Sequence, residues 1–233
     1  MIYELAHFIK DKCTFLWDAV EWGNASLFAL LYKEKLRGVP ELLDKMSNDV
    51  FTIRATQDKD VERLVAFFAE QPESAFEFFN PHGFDEKSVL KVLKNKAFQT
   101  FVVAEGESIV GYFFLRSFVN GKCFRGRMAD HKSRGKGIGK LMAKASGEIA
   151  TFEGLRMFAS ISPENLASLN SAKAVSDVKI IKTLENGYYY IECTPEDINR
   201  GGLIIRLLWY LVLECVTLNS LPDAVHYRSF FKR

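Results

Sequence analysis

The chain has little cysteine, almost no net charge and no long unbroken apolar run. Its four cysteines (Cys13, Cys123, Cys193, Cys215) stand far apart in 233 residues, with no Cys-x-x-Cys pair. That spacing speaks against a disulfide scaffold or a metal site and makes a reducing, cytoplasmic setting the expectation. Lys+Arg (31) and Asp+Glu (29) nearly cancel to a formal +2, so no basic footprint points to a nucleic-acid partner. The opening MIYELAHFIKDKC lacks a basic stretch leading into an apolar one, and no secretory leader is expected. The longest apolar segment, Leu203 to Leu218, contains Arg206 and Glu214 and falls short of the ~20 residues a spanning helix needs. It reads as a helix covered by protein, with association at a membrane surface as the second reading.

What is present suits a folded domain: 48% apolar residues, 26% charged, twenty Phe and eight Tyr. Three zones can be distinguished. Residues 1–48 read as a helical extension, with interruptions expected at Asn24 and Ser26 and a break at Gly38-Val39-Pro40. Residues 49–193 alternate strands and helices. Phe51 to Arg54 is a strand, and Thr56 is the expected N-cap of a helix burying Val61, Leu64, Val65 and Phe68. A helix over 85–94 follows, then a hairpin from Phe101 to Phe118 turning at Glu105-Gly106-Glu107-Ser108. A strand from Cys123 to Asp130 leads to a glycine-rich turn and a helix with Ile138, Leu141, Met142, Ala145 and Ile149 on one side. Then come a strand at 156–161, a short helix at 165–173, and a closing hairpin of 180–184 with 188–192. Residues 194–233 form a C-terminal helical extension, opened by Thr194-Pro195-Glu196-Asp197 as a capping signature. The apolar bulk of the two extensions predicts that they pack together, against the central domain or across a homodimer.

The informative element is His131-Lys-Ser-Arg-Gly-Lys-Gly-Ile-Gly-Lys140 between a strand and a helix. Glycines at 135, 137 and 139 let a ligand approach the backbone. First-turn amides of a helix have no internal partner and can bind phosphate oxygens, and Arg134, Lys136 and Lys140 add positive charge. No Gly-Lys-Ser/Thr closes the turn, and the Gly-x-Gly-x-Gly spacing is not that of a dinucleotide fingerprint.

Arg134-x-x-Gly137-x-Gly139 resembles the coenzyme A signature of the GNAT superfamily of N-acetyltransferases. The order of elements over residues 50–193 is similar to that family's, as is a strand followed by an Asn-led helix at Ser162-Pro-Glu-Asn165-Leu-Ala-Ser168. The resemblance implies an α/β fold with a mixed, mostly antiparallel sheet flanked by helices. It implies acetyl-CoA as co-substrate, its pyrophosphate on Arg134, Gly135, Lys136, Gly137, Ile138, Gly139 and Lys140. The pantetheine arm would then pair with strand backbone near Arg127, Met128 and Ala129, with Asn165 and Ser168 nearby. Acetyl would pass directly to a primary amine.

The resemblance has a gap. Many members carry a tyrosine seven residues after the helix Asn, to protonate the leaving thiolate. Here that position is Ala172, and Tyr188, Tyr189 or Tyr190 could replace it only if the fold brings one close. For a base that takes the amine proton, the candidates are His82, Asp85, Asp130 and His131. His82 lies in the loop Phe78-Phe79-Asn80-Pro81-His82-Gly83-Phe84, where Phe79 and Asn80 would border the acceptor. Arg125 and Arg127 alternate onto one face beside the expected acceptor site. They suit either an anionic acceptor such as a nucleotide-linked amino sugar or ion pairs within the sheet. Two further readings stay open: a protein or peptide amine acetyltransferase, and a catalytically silent CoA-binding module.

Overall fold

The computed structural model describes residues 14–195. The proposed C-terminal helix and its pairing with the N-terminal zone lie outside the described residues. Two helices, α1 (Thr14–Leu31) and α2 (Lys33–Met46), precede β1 (Thr52–Ala55). A short turn at Asp58–Asp60 leads into α3 (Val61–Ala69), and α4 (Glu86–Leu93) follows a loop. Then come β2 (Phe98–Glu105), β3 (Ser108–Ser117), β4 (Lys122–Ala129), α5 (Ile138–Glu153), β5 (Arg156–Ile161), α6 (Leu166–Lys173), β6 (Ser176–Thr183) and β7 (Tyr189–Pro195). The seven strands form one sheet in the order β1-β2-β3-β4-β5-β7-β6. All neighbours are antiparallel except β4 and β5.

Strand alternation divides the core between the two sheet faces. One face sends Phe101, Val103, Phe113 and Leu115 against Ile138, Met142 and Ile149 of α5 and Val39 and Leu43 of α2. The other sends Val102, Tyr112, Phe114 and Met128 against Leu64, Phe67 and Phe68 of α3 and Val89 of α4. The N-terminal helices are tied to the sheet by polar contacts as well. Glu21 pairs with Arg116 at 2.5 Å, and Asn24 Nδ2 donates to the Ser117 carbonyl at 3.0 Å.

Four local expectations are corrected. α1 runs through Asn24 and Ser26, and α2 continues through Gly38-Val39-Pro40. An interior proline costs about 3 kcal/mol, but burial of Val39 and Leu43 on that same turn offsets it. Gly38 serves approach, not breakage: a Cβ there would lie 2.6 Å from the Phe152 ring. The cap before α3 is a capping box of Gln57 and Asp60, not Thr56. Arg54 braces the Asp60 carboxylate with two bonds of 2.5 and 2.7 Å. Finally, Thr194 and Pro195 are strand residues, registered against Asp177 and Ser176. The sheet's pairing overrides the local capping signature.

Candidate active site

β4 and β5 are parallel neighbours only where Lys122, Cys123 and Phe124 meet Arg156, Met157 and Phe158. Beyond that point they diverge, while β4 stays paired to β3 through Ala129 and β5 to β7 through Ile161. A wedge-shaped gap therefore opens in the middle of the sheet. The backbone bonds that border β4 decide what faces it. Asp130 N donates to Val110 O and Phe118 N to Lys122 O, each at 2.9 Å, so even-numbered residues of β4 bond to β3. The odd-numbered ones, Arg125, Arg127 and Ala129, turn their N–H and C=O groups toward the gap. A ligand strand could pair there as an added strand does.

The glycine-rich turn stands at the open end of this gap. Gly135 and Gly137 have φ of +82° and +80°, a region that strains any residue with a Cβ. Gly137 caps α5 with no side chain, and the first intrahelical bond, Leu141 N to Gly137 O, is 3.0 Å. The preceding amides of Ile138, Gly139 and Lys140 are the orphan donors of a helix start. Gly139 keeps the way clear, since a Cβ there would meet only Ser171 Oγ, at 4.0 Å. Arg134 and Lys140 are exposed, and Lys136 Nζ bonds Glu105 Oε2 at 2.8 Å. The donor set fits the pyrophosphate and pantetheine of a CoA thioester.

Asp130 is a brace for this turn. Gln71 Nε2 donates to its Oδ1 at 3.3 Å, while Gln71 Oε1 accepts from His131 N at 3.0 Å. Burial alone would raise its pKa. Hydrogen bonds from Gln71, Ser133 and Lys132, with His131 close by, instead hold the carboxyl below its usual value. A carboxylate with a lowered pKa and engaged by hydrogen bonds is a weak base, which speaks against a catalytic role for Asp130. Gln71 carried no sequence signal; a lone glutamine at a helix end gains meaning only from what the fold sets beside it.

His82 is also corrected. Its side chain is 1% exposed among the rings of Phe68, Phe84, Phe98 and Tyr112. Nδ1 lies 2.7 Å from Gly83 O, and a carbonyl can only accept, so Nδ1 carries the proton. Nε2 then accepts from the Tyr112 hydroxyl at 2.8 Å. Burial lowers its pKa. This is a neutral, satisfied core histidine with no lone pair open to a substrate. Asp85 is the N-cap of α4, accepting from Ser88 N at 3.0 Å.

The fold separates residues that the sequence placed together. Phe79 packs on the α3–α4 side, where it and Phe114 occupy the space a Cβ on Gly126 would need. Met128 shares that side, and Asn80 is exposed. Arg125 lies on the opposite face, reaching Cys193 Sγ at 3.2 Å. It therefore does not border the Phe79–Asn80 loop. Arg127 reaches α6, donating to Ser168 O at 2.8 Å and Ser171 Oγ at 2.7 Å. Asn165 is the N-cap of α6, its Oδ1 accepting from Ser168 N at 3.0 Å. Ala172 is fully buried.

One hydroxyl does sit near the closed end of the gap. Tyr190 stacks on Phe158 with ring centroids 5.4 Å apart and lies 5.9 Å from Phe124. These two phenylalanines form the last β4–β5 pair. Its buried Oη has no partner among the described residues, and burial, with Glu192 adding to it, raises its pKa.

The family profile described as an acetyltransferase (GNAT) domain matches residues 51–175, more than half of the chain. The chain belongs to the GNAT acetyltransferases. No curated protein matches it. Among solved structures, AAC(6')-Ib in complex with paromomycin and acetyl-CoA is 17% identical, with TM-score 0.51, covering 66% of this chain and 98% of that one. Aminoglycoside acetyltransferase AAC(6')-Ib with coenzyme A and kanamycin is 16% identical, with TM-score 0.50 and coverage of 63% and 95%. The GNAT domain of PAT from S. lividans is 15% identical, with TM-score 0.52 and coverage of 60% and 88%. These likenesses are of fold. They agree with the seven-stranded, mostly antiparallel sheet flanked by helices.

Proposed function

We propose that this acetyltransferase acts on the primary amine of a small molecule, an amino sugar being the preferred class. The observation that carries the reading is the divergence of β4 from β5 beside an α5 start that has a left-handed glycine for its cap. In this reading the amides of Ile138, Gly139 and Lys140 hold the pyrophosphate, and the backbone of Arg127 and Ala129 lines the pantetheine arm. The bound thioester supplies an activated acyl carbon. Tyr190 holds a proton near the closed end of the gap, in the role left vacant at Ala172. The acceptor enters from the Phe79 side, where aromatic walls favour a ring with apolar faces. The aminoglycoside complexes of two structures with this fold support a sugar amine. The case for a nucleotide-linked acceptor rested on Arg125 and Arg127, and their placement on the other face removes it.

Incubation with acetyl-CoA and a panel of amino sugars, small amines and lysine peptides, read as free thiol release, tests the proposal. Amino-sugar-dependent release supports it. Release with peptides alone would make the protein a peptide amine acetyltransferase, and CoA binding without any release would make it a silent module. We place the reaction in the cytoplasm, where the buried, unpaired Cys123 and Cys193 would stay reduced. Among the described residues no helix is long and apolar enough to cross a membrane. The exposed Val20, Leu27, Leu30 and Leu31 of α1 support a homodimer through the N-terminal helices. Sedimentation velocity tests that association, and co-sedimentation with liposomes would favour a membrane surface instead.

A further inference from the structure

Arg125 and Arg127 remain unexplained by the function so far. Arg125 is 8% exposed, and among the described residues its one bond is from Nη2 to the weak acceptor Cys193 Sγ. Among the described residues its buried Nε and Nη1 have no partner, and neither does the buried Nη1 of Arg127. Burial, with the like charge of Arg125 beside it, pulls the Arg127 guanidinium well below its usual value, and among the described residues only Cys193 acts against this. Among the described residues neither arginine has an ion-pair partner. Arg125 is buried and Arg127 half-buried, and two cations side by side with so little water are unfavourable unless an anion joins them. Buried donors left open are rare in folded proteins and call for a ligand.

Their place in the fold narrows the choice. Arg125 is one residue beyond Phe124, in the last β4–β5 pair, so it stands at the closed end of the gap. The pyrophosphate cradle is at the other end, beyond Asp130. The acceptor loop with Phe79 is across the sheet. An anion meeting both guanidinium groups therefore enters along the gap from the cradle side, carried on the end of the acyl chain. We propose that Arg125 and Arg127 form a carboxylate subsite that lets the protein take acyl-CoA donors whose acyl group ends in a carboxylate. A carboxylate offers two acceptor oxygens, one to each arginine, and such charge-assisted bonds are the strong ones. The inference rests on CoA lying in the β4–β5 gap.

Titration calorimetry of the full chain with CoA, acetyl-CoA and succinyl-CoA tests it without requiring turnover. Succinyl-CoA is expected to bind at least tenfold more tightly than acetyl-CoA. Arg125→Met should erase that difference while CoA and acetyl-CoA bind as to the wild type, and Arg125→Lys should keep part of it. Equal wild-type affinities for the two thioesters, with CoA itself bound, would overturn the subsite alone. A preference that survives Arg125→Met in a folded variant would do the same. Failure of CoA to bind at all would overturn the gap reading beneath it. The wild-type comparison stands even where Arg125→Met fails to fold.

Discussion

Tyr112 Oη donates to His82 Nε2 at 2.8 Å, and this bond turns a candidate base into part of the core. His82→Ala leaves the fully buried Tyr112 hydroxyl without its partner and opens a cavity between rings. The expected loss is about 3 kcal/mol of stability, with turnover well below the melting temperature little changed. Burial lowers the folded-state pKa of His82, so the folded protein holds its proton less tightly than the unfolded chain does. Its contribution to stability is whole above the unfolded value of about 6.5 and is lost as pH falls through the lowered folded value. Denaturant melts of wild type and variant from pH 5 to 8 check both points. Unchanged stability with a hundredfold fall in kcat would restore His82 as a base.

Gly137→Asp should separate folding from cofactor binding. The +80° φ strains an aspartate by about 1–2 kcal/mol, yet no atom lies within 4 Å of the new Cβ. The variant should fold with a slightly lower Tm. The rise in Tm that CoA produces in the wild type should vanish, because the carboxylate repels the pyrophosphate. Equal stabilisation of both proteins by CoA would put the cradle elsewhere.

Tyr190→Phe tests the proton donor. The hydroxyl is buried and has no partner among the described residues, so its removal should leave Tm unchanged or raise it, by about 1 kcal/mol of stability at most. If the hydroxyl serves the leaving thiolate, kcat should fall about 100-fold with little change in CoA affinity. A variant with wild-type turnover would assign Tyr190 to the core.

Glu153 predicts a pH effect of opposite sign to that of His82. It is 4% exposed, accepts from Gln99 Nε2 at 2.9 Å, and its other oxygen has no partner among the described residues. Burial pushes its pKa up from 4.5 to about 7. Between those two values the folded state holds a proton that the unfolded chain has released, so stability falls as pH rises. Above pH 7 the ionised group costs about 3 kcal/mol. Glu153→Gln should therefore raise Tm at pH 8 and leave it nearly unchanged at pH 4.5. An equal effect at both pH values would show that charge is not the cause.

Direct transfer predicts no acyl-enzyme at the described cysteines. Cys123 is fully buried, and burial, with Glu153 adding to it, raises its thiol well above its usual value; a protonated thiol is a weak nucleophile. Intact mass after incubation with acetyl-CoA alone should match the unmodified chain. A stable acetyl adduct on Cys123 or Cys193 would contradict this.

Much of the fold was legible residue by residue. The strand at Arg156–Ile161 matches its expected span. The Asp85 and Asn165 caps sit where a short acceptor side chain precedes a helical run, and Gly137 stands just before α5. These are local rules of period, capping and backbone freedom, written within a few residues of chain. The gap was legible only through the resemblance, because no local rule says where two strands stop pairing.

Only the tertiary structure decided which polar residues meet. Alternation put Arg125 and Arg127 on one face, and that holds. Which face was beyond the sequence, because it depends on α5 and α6 packing where Cys193, Ser168 and Ser171 are the available neighbours. His82 looked like a loop histidine because its neighbours in sequence are Pro81 and Gly83. Its real surroundings come from α3, β2 and β3, up to 30 residues away. Pro40 and Thr194 show the same physics: each carries a local signal to break or start a helix, and each yields to burial or strand pairing. Local chemistry wrote the elements and the glycine-rich turn before α5 into the sequence. Long-range packing assigned each side chain to the core, the brace or the gap, since that depends on contacts between residues far apart in the chain.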